Sequence, residues 1–385
     1  MHVIDEDIIP ITVPKWGLSM EEGVIVEWLV KPGHEVKEGE ALLEIETSKI
    51  ANSVEASHSG LIRRIVADAG TTVLVGQLIG VIADVSVPDV QIEAYIEEFI
   101  KSHVPAATQD EEGSNYKFVD VDSKRTKYVS IEHEDKSNLP VLFIHGFGGD
   151  CDNWMFNIAE LGENHSVYAL DLPGHGGSSK VMDDGSILKL AKNVIDFMDA
   201  TNLKVAHLIG HSLGAAVVME VARIQEGRVA SLALLAPCGL GDTINDNYIS
   251  GFVKGEGRRE LKNTLALLFS DKSLVSRDMV NNILKYKRTD GVTEALKNIA
   301  ELAFPGGKQA HSYRDLLSSL RSLSISIIWG DADEIADPRD CEGLHKSIAV
   351  SVLEGVGHMP HMEAASRVNE LLLAHVSNIG ELTRR

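Results

Sequence analysis

The sequence of 385 residues predicts two folded parts in series, a small all-β module followed by a larger α/β domain. A duplication indicates the first part, because Gly23, Gly33 and Gly39 each recur 37 positions later, as do several apolar strand residues. After residue 116, apolar runs alternate with helical patterns, which is typical of a largely parallel sheet covered on both faces. The net charge of −21 disfavours nucleic acid and anionic membrane as partners.

Cysteine usage and the N-terminal segment bear on the compartment. The three cysteines, Cys151, Cys238 and Cys341, lack the spacing of a disulfide framework or a metal site. The first residues show no basic region followed by an apolar run, and no stretch approaches the ~20 apolar residues that cross a bilayer. We therefore expect a reduced, cytoplasmic protein without a metal site.

Lys49 stands between two strand patterns, in a stretch where apolar and polar residues alternate before and after it. This arrangement predicts a hairpin with Lys49 at its tip. Gly33 lies 16 residues before the lysine and Gly60 lies 11 residues after it, and tight turns between short strands favour glycine at such positions. An exposed turn lysine without a role is the simpler interpretation. The duplication and both glycine spacings favour a lysine that is presented for modification.

This duplicated arrangement resembles the lipoyl and biotinyl carrier domains over about residues 8–84. The segment 11–23, ITVPKWGLSMEEG, is similar to the start of lipoyl domains in acyltransferase components of 2-oxoacid and acetoin dehydrogenase complexes. Biotinyl carriers keep methionine on both sides of their lysine, whereas Ser48 and Ile50 stand here. The resemblance therefore implies covalent lipoate on Lys49, and Ser48 departs from the acid that usually precedes the lysine.

Between the two parts the sequence predicts an amphipathic helix and a flexible linker. Apolar residues recur with helical period on one stripe of residues 88–103, and glutamates fall on the opposite stripe. The helix either docks on a neighbouring domain or binds a partner enzyme, and the pattern is compatible with both. Residues 105–114 lack apolar periodicity, which is typical of a linker. The predicted domain bounds are 1–84 for the carrier, 85–115 for helix and linker, and 116–385 for the α/β domain.

A predicted strand, residues 205–209, leads into Gly210-His211-Ser212-Leu213-Gly214 and directly into a helical run, residues 215–223. This is the context of a nucleophile elbow, which exposes a serine at the top of a sheet. A serine hydroxyl is a poor nucleophile unless a base takes its proton, and a buried carboxylate must orient that base. Asp333 and His358 each follow a later predicted strand, so the order is serine, acid, histidine.

Residues 116–378 thus resemble the α/β-hydrolase fold, with a helical cap at about 241–314. The resemblance implies Ser212 as nucleophile, His358 as base and Asp333 as its carboxylate. It also implies an oxyanion hole formed by the backbone N–H groups of Phe147 and Leu213. Three other carboxylates compete with Asp333, and His361 competes with His358 but is better explained as a capping or packing residue. The competing carboxylates are Asp331, Glu334 and Asp337. Three histidines in loops near the site are interpreted as structural: His145, His175 and His211.

The cap reverses the acidic trend, with twelve bases and nine acids over residues 241–314. One basic cluster contains Lys254, Arg258, Arg259 and Lys262, and a second contains Lys285, Lys287 and Arg288. These bases form either a solvated helical face or a site for the acidic carrier or the phosphates of coenzyme A. Arg258, Arg259 and Lys262 are the candidate residues for phosphate or carrier docking.

Together the two parts resemble the dihydrolipoyllysine-residue acetyltransferase component of acetoin dehydrogenase complexes. The resemblance implies acetyl transfer from a lipoyl group on Lys49 to coenzyme A, with acyl-Ser212 as one route. Its implied partners are a thiamine-diphosphate-dependent dehydrogenase component and dihydrolipoamide dehydrogenase. Two alternatives remain: a carrier-bearing serine ester or thioester hydrolase, and a non-catalytic carrier or scaffold. The His-x-x-x-Asp-Gly motif of ordinary 2-oxoacid acyltransferases is absent from the sequence, so the oligomeric state stays open.

Overall fold

A computed structural model describes residues 8–14, 16, 22–47, 51–102, 116–182 and 184–380. The chain divides into two compact units, residues 1–114 with 273–282 and residues 115–272 with 283–385. Across those described ranges, no helix combines the length and the apolar character that a membrane span requires.

The carrier part is built from eight short strands in two four-stranded sheets. The strands are β1 (Ile8–Thr12), β2 (Glu22–Trp28), β3 (Glu35–Val36), β4 (Ala41–Glu46), β5 (Ala51–Glu55), β6 (Gly60–Ile65), β7 (Thr72–Leu74) and β8 (Leu78–Ala83). One sheet has the order β1-β8-β6-β3 and the other β5-β4-β2-β7. Apolar residues from both sheets, including Ile25, Ile45 and Ile82, form one buried core. The predicted all-β module is therefore present.

The glycine duplication has a backbone cause. Gly33 and its counterpart Gly70 have φ of 91° and 83°, and Gly39 and its counterpart Gly76 have φ of 81° and 78°. Such positive φ values are strained for other residues, so glycine is favoured at all four turns. The same turn geometry recurs 37 residues later because the strand pattern recurs.

The amphipathic helix, α1 (Asp89–Ser102), lies one residue inside the predicted bounds at each end. Its apolar stripe, with Ile92, Tyr95 and Phe99, packs against a cluster that includes residues of β8. Ion pairs of 2.7 Å join Arg63 to Asp89 and Arg64 to Glu93, and they hold the polar edge of the helix on the module. Of the two interpretations of this helix, the structure shows docking on the carrier module. The predicted linker, 105–114, lies outside the described residues.

The second part contains one eight-stranded sheet, of order β16-β15-β14-β13-β11-β12-β10-β9, and the helices around it. The strands are β9 (Tyr116–Val121), β10 (Lys124–Ile131), β11 (Val141–Ile144), β12 (Val167–Leu170), β13 (Ala206–His211), β14 (Val229–Leu235), β15 (Ser324–Gly330) and β16 (Ala349–Leu353). The helices are α2 (Ile158–Gly162), α3 (Ile187–Ala200), α4 (Leu213–Gln225), α5 (Asp246–Lys254), α6 (Arg258–Ala266), α7 (Arg277–Lys287), α8 (Val292–Ala303), α9 (Arg314–Ser319), α10 (Pro360–Glu363) and α11 (Ala365–Gly380).

Strands β11 to β16 pair in parallel, whereas β10 pairs antiparallel with both β9 and β12. Strands β11 and β13 are buried along their whole length, as expected for central parallel strands that are covered on both faces. Helices α5 to α9 lie between β14 and β15 in the chain, and α5 to α8 fall within residues 241–314, the segment predicted as a cap. The carboxyl ends of β11, β13 and β15 precede Phe147, Ser212 and Asp333, so the sheet brings the candidate residues to one edge.

Candidate functional site

Ser212 lies at the sharp turn between β13 and α4, with φ of 54° and ψ of −115°. A non-glycine residue in this region costs about 1–3 kcal/mol, which the surrounding packing must offset. The flanking glycines allow that packing. A Cβ on Gly210 would lie 2.5 Å from the Gly214 carbonyl oxygen, and a Cβ on Gly214 would lie 2.3 Å from the Ile144 carbonyl oxygen. The predicted nucleophile elbow therefore depends on a close approach of strands and helix.

We expect Gly214→Ala to destabilise the α/β domain by about 1–3 kcal/mol, because the added methyl group meets two backbone carbonyls that cannot move independently. The measurement is the free energy of unfolding in denaturant. Gly227→Ala is a matched control, because a Cβ there meets nothing within 4 Å. Equal stability of the two variants would contradict the close packing described for the elbow.

His358 and Asp333 form a buried pair, with 2.7 Å between imidazole Nδ1 and carboxylate Oδ2. Three further donors hold the carboxylate. Trp329 Nε1 donates to Oδ2 at 2.8 Å, and the backbone N–H groups of Ile335 and Ala336 donate to Oδ1 at 2.7 and 3.2 Å. A carboxylate fixed in this way orients the imidazole and directs its Nε2 away from Asp333.

The three competing carboxylates face other groups. Asp331 accepts the backbone N–H of a glycine at 2.7 Å. Glu334 pairs with an exposed lysine, and Asp337 pairs with an exposed arginine. Asp333 is the one of these four that contacts His358 in the described chain.

The hydroxyl group of Ser212 has a neighbour that sequence reasoning missed. Its Oγ lies 3.4 Å from the Sγ of Cys238, and the Cys238 N–H donates to the Ser212 carbonyl at 3.1 Å. Burial raises the pKa of the Cys238 thiol to about 12, so it stays protonated and can donate to Oγ. Within the described chain, the Ser212 hydroxyl forms its hydrogen bond with Cys238 and not with His358. Nothing in the sequence singles out Cys238 among the three cysteines.

Histidines around the elbow have packing and backbone roles. His211 Nε2 donates to the His358 carbonyl at 2.8 Å, and the two rings lie 4.9 Å apart. His361 is fully buried against Trp154 and His211, with ring centroids at 4.5 and 4.6 Å. Neither of its ring nitrogens has a hydrogen-bond partner in the described chain, and burial lowers its pKa to about 3. His361 therefore acts as a packing residue, as predicted.

His145 and His175 lie beneath the loop that carries Phe147. His145 Nε2 accepts the N–H of Leu172 at 2.9 Å, while its Nδ1 lies 2.8 Å from the Gly146 carbonyl. The His175 ring lies 4.9 Å from that of His145. Burial lowers the pKa of both histidines, so they are neutral groups that support the loop.

Phe147 lies in a turn after β11 in which the Gly149 N–H donates to the Gly146 carbonyl at 3.1 Å. The Tyr248 hydroxyl of α5 donates to the Phe147 carbonyl at 2.9 Å and holds this part of the loop. Leu213, the other predicted oxyanion residue, is the first residue of α4. First-turn N–H groups have no partner within the helix, and the helix dipole favours negative charge there.

Two further predicted sites, Lys49 and the bases of α6, belong to other segments of the chain. Lys49 falls outside the described residues, but β4 and β5 on either side of it pair antiparallel with Glu46 opposite Ala51. Arg258, Arg259 and Lys262 lie on the exposed surface of α6.

Comparison with known protein families divides the chain in the same way. Residues 9–82 match a family model described as "Biotin-requiring enzyme", which covers biotinyl and lipoyl domains. Residues 141–371 match the alpha/beta hydrolase family. Fold and site thus define a carrier domain of the lipoyl type joined to an α/β hydrolase, and a lipoyl domain implies lipoate on a lysine.

The chain is 42% identical to the dihydrolipoyllysine-residue acetyltransferase component of the acetoin cleaving system of Cupriavidus necator, over 97% of this chain and 98% of that protein. The Pseudomonas putida protein of the same name is 39% identical over 94% of this chain and 97% of its own length. The chain belongs to this family of acetyltransferase components of acetoin cleaving systems. Among solved structures, the meta-cleavage product hydrolase from Pseudomonas fluorescens IP01 shares the fold, with a TM-score of 0.61 and 21% identity over 68% of this chain and 97% of its own.

Proposed function

We propose that this protein moves an acetyl group from a thioester on its own carrier lysine, Lys49, to the thiol of coenzyme A, with Ser212 as the intermediate acyl acceptor. One observation carries the proposal: a serine elbow and a buried Asp333–His358 pair occur in the same chain as a lipoyl-type carrier domain. A simple carrier would need only the lipoyl-type domain, and a simple hydrolase would need only the serine site.

The carrier fits a lipoyl group at Lys49. Strands β4 and β5 bracket the lysine, and the pairing of Glu46 with Ala51 leaves only four residues between the strand ends. The proposal places the lipoyl group on this lysine. When bound, lipoate supplies a dithiol that carries an acyl group as a thioester.

The first half-reaction acylates Ser212. For this step the Ser212 hydroxyl turns from Cys238 towards His358, and Nε2 takes its proton while Oγ attacks the thioester carbonyl. Asp333 stabilises the imidazolium that forms. The N–H groups of Phe147 and Leu213 stabilise the oxyanion, and one such donor is worth about 10²–10³ in turnover. His358 would then give that proton to the leaving thiol as the C–S bond breaks, and Ser212 would keep the acetyl group.

The second half-reaction returns the acetyl group to a thiol. His358 removes the proton of the coenzyme A thiol, the sulfur attacks the acyl carbonyl, and the C–O bond to Ser212 breaks as Oγ regains its proton. Water competes for the same acyl-serine. Ser212 is 4% exposed and His358 is 1% exposed, so the proposed acyl-serine would form in a site with little exposure to solvent.

Two partner enzymes complete the proposed cycle. A thiamine-diphosphate-dependent dehydrogenase component would load the acetyl group, and dihydrolipoamide dehydrogenase would reoxidise the dithiol. The names of the relatives place those proteins in an acetoin cleaving system, which supports this assignment.

We expect Lys49→Arg to abolish lipoylation, because arginine keeps the charge but lacks the primary amine that forms the amide. The measurement is the intact mass of wild type and variant from a lipoate-supplied host. Lys31→Arg, a lysine of the same module, is the control and should carry the modification. Wild-type and Lys49→Arg masses that differ only by the substitution would contradict the carrier assignment.

The proposal is tested by supplying the acetylated carrier with and without coenzyme A and measuring acetyl-coenzyme A against acetate. The expected product is acetyl-coenzyme A, formed at a rate that depends on the thiol. Acetate as the sole product would establish a thioester hydrolase instead. If neither acetyl-coenzyme A nor acetate forms, the protein is a non-catalytic carrier or scaffold.

A further inference from the structure

The cap contains a cavity of about 1080 Å³, formed by residues of α5, α7 and α8 and the segments that follow them. We call it the cap cavity. Its apolar surface includes Ile249, Val253, Leu284 and Phe304. This volume is slightly above the usual range for small-molecule sites, about 300–1,000 Å³, and far exceeds the volume of an acetyl group. The cap cavity therefore has room for a larger ligand with an apolar portion.

Cations from three helical segments surround the cap cavity. Lys254 ends α5, Arg288 follows α7 directly, and Lys297 lies on α8. All three side chains are exposed, and neither Lys254 nor Arg288 forms an ion pair with a carboxylate in the described chain. Lys297 lies 3.8 Å from Glu301. The three acids of the lining, Asp246, Glu256 and Glu301, are fewer than its four bases.

The fourth base, Lys287, holds the cap together. Its ammonium group donates to the carbonyls of Phe252 and Val253, which belong to the last turn of α5. A cation at this end of a helix pairs with the negative end of the helix dipole. Lys287 therefore ties α7 to α5, and Lys254, Arg288 and Lys297 are the other bases of the cavity lining.

The cap cavity shares a wall with the catalytic loop. Phe304 lines the cavity, and its ring centroid lies 6.2 Å from that of Phe147. Helix α5 also joins the two sites, because Ile249 lines the cavity while the adjacent Tyr248 donates to the Phe147 carbonyl. A ligand in the cap cavity would thus lie one aromatic layer from the oxyanion residue proposed above.

We propose that the cap cavity binds the nucleotide end of coenzyme A, its adenine and its 3′- and 5′-phosphates. This inference rests on the proposed transfer to coenzyme A. Lys254, Arg288 and Lys297 would pair with the phosphates, because charge-assisted hydrogen bonds to phosphate are strong and directional. The apolar wall would take the adenine, and the pantetheine arm would pass Phe304 towards Ser212.

The phosphate site proposed here differs from the one predicted from the sequence. Arg258, Arg259 and Lys262 do not line the cap cavity, although they are close in sequence to Lys254. The second predicted cluster contributes Arg288 and Lys287 to the lining, while Lys285 is outside it. Each sequence cluster thus divides between the cavity and the outer surface of the cap.

The test compares two double variants of the full-length protein. Lys254→Ala with Arg288→Ala removes two charges from the cavity, and Arg258→Ala with Arg259→Ala removes two charges from α6 outside it. Calorimetric titration with coenzyme A should show a Kd raised about tenfold or more in the cavity pair, with little change in the α6 pair. The KM for coenzyme A should rise by the same factor, whereas that for pantetheine, which lacks the phosphates, should not change.

Three results would overturn the inference: coenzyme A binding that is weakened equally in both double variants, weakened only in the α6 double variant, or weakened in neither. The side chains concerned are exposed, and Lys297→Ala gives a third variant should the cavity pair unfold earlier than wild type. Acetyl-coenzyme A formation with unchanged coenzyme A affinity in the cavity pair would defeat the cavity assignment alone. Acetate as the only product, with normal coenzyme A binding in the cavity, would instead defeat the proposed transfer.

Discussion

Replacement of Ser212 by alanine is expected to lower acetyl transfer to coenzyme A by about 10⁶, because loss of a working nucleophile removes the covalent route entirely. The elbow backbone should survive, since alanine adds no atoms to the strained turn at φ 54°. The measurement is the single-turnover rate of acetyl-coenzyme A formation from the acetylated carrier. Ser137→Ala, an exposed loop serine, is the matched control.

Unchanged transfer in Ser212→Ala would refute the acyl-serine intermediate and favour direct attack of coenzyme A on the carrier thioester. Cys238 makes a second variant informative, because its thiol lies 3.4 Å from the position that Oγ would vacate. If a residual rate in Ser212→Ala disappears in Ser212→Ala with Cys238→Ala, the thiol has accepted the acyl group. Burial raises the pKa of this thiol to about 12, so we expect its contribution to be small.

The parts of the site that could be predicted from sequence are those fixed by local backbone geometry. Gly210 and Gly214 mark the elbow because close approach of strand and helix requires them, and the paired glycines of the carrier mark turns with positive φ. Asp333 and His358 follow predicted strands, and parallel strands bring their carboxyl ends to one edge. Local pattern and topology together were enough for these residues.

The unpredicted parts depend on contacts between distant segments. Cys238 reaches Ser212 from the end of β14, and no local pattern encodes that distance. Lys254 ends α5 and Arg288 follows α7, and both line the cap cavity. Their positions depend on side-chain packing between the two helices. The basic clusters could be found in the sequence, but the division of each cluster between cavity and outer surface could not.

The second large effect is expected for Asp333→Asn, which should lower kcat/KM by about 10⁴. The asparagine oxygen can still accept the N–H groups of Ile335 and Ala336, so its NH₂ group would turn towards His358. An NH₂ group donates to Nδ1, which places the imidazole proton on Nε2, the nitrogen that must accept the proton of Ser212. The variant therefore holds the base in the wrong tautomer.

This orientation of the asparagine side chain also places its NH₂ group next to the Nε1–H of Trp329. The Trp329 donor therefore loses its acceptor. A buried donor without a partner costs about 1–3 kcal/mol, so thermal stability should fall moderately while the fold is retained. Asp331→Asn is the matched control, because Asp331 accepts a backbone N–H and does not contact His358. A loss of tenfold or less in Asp333→Asn, with normal acylation of Ser212, would mean that His358 works without a carboxylate and that the buried pair serves stability alone.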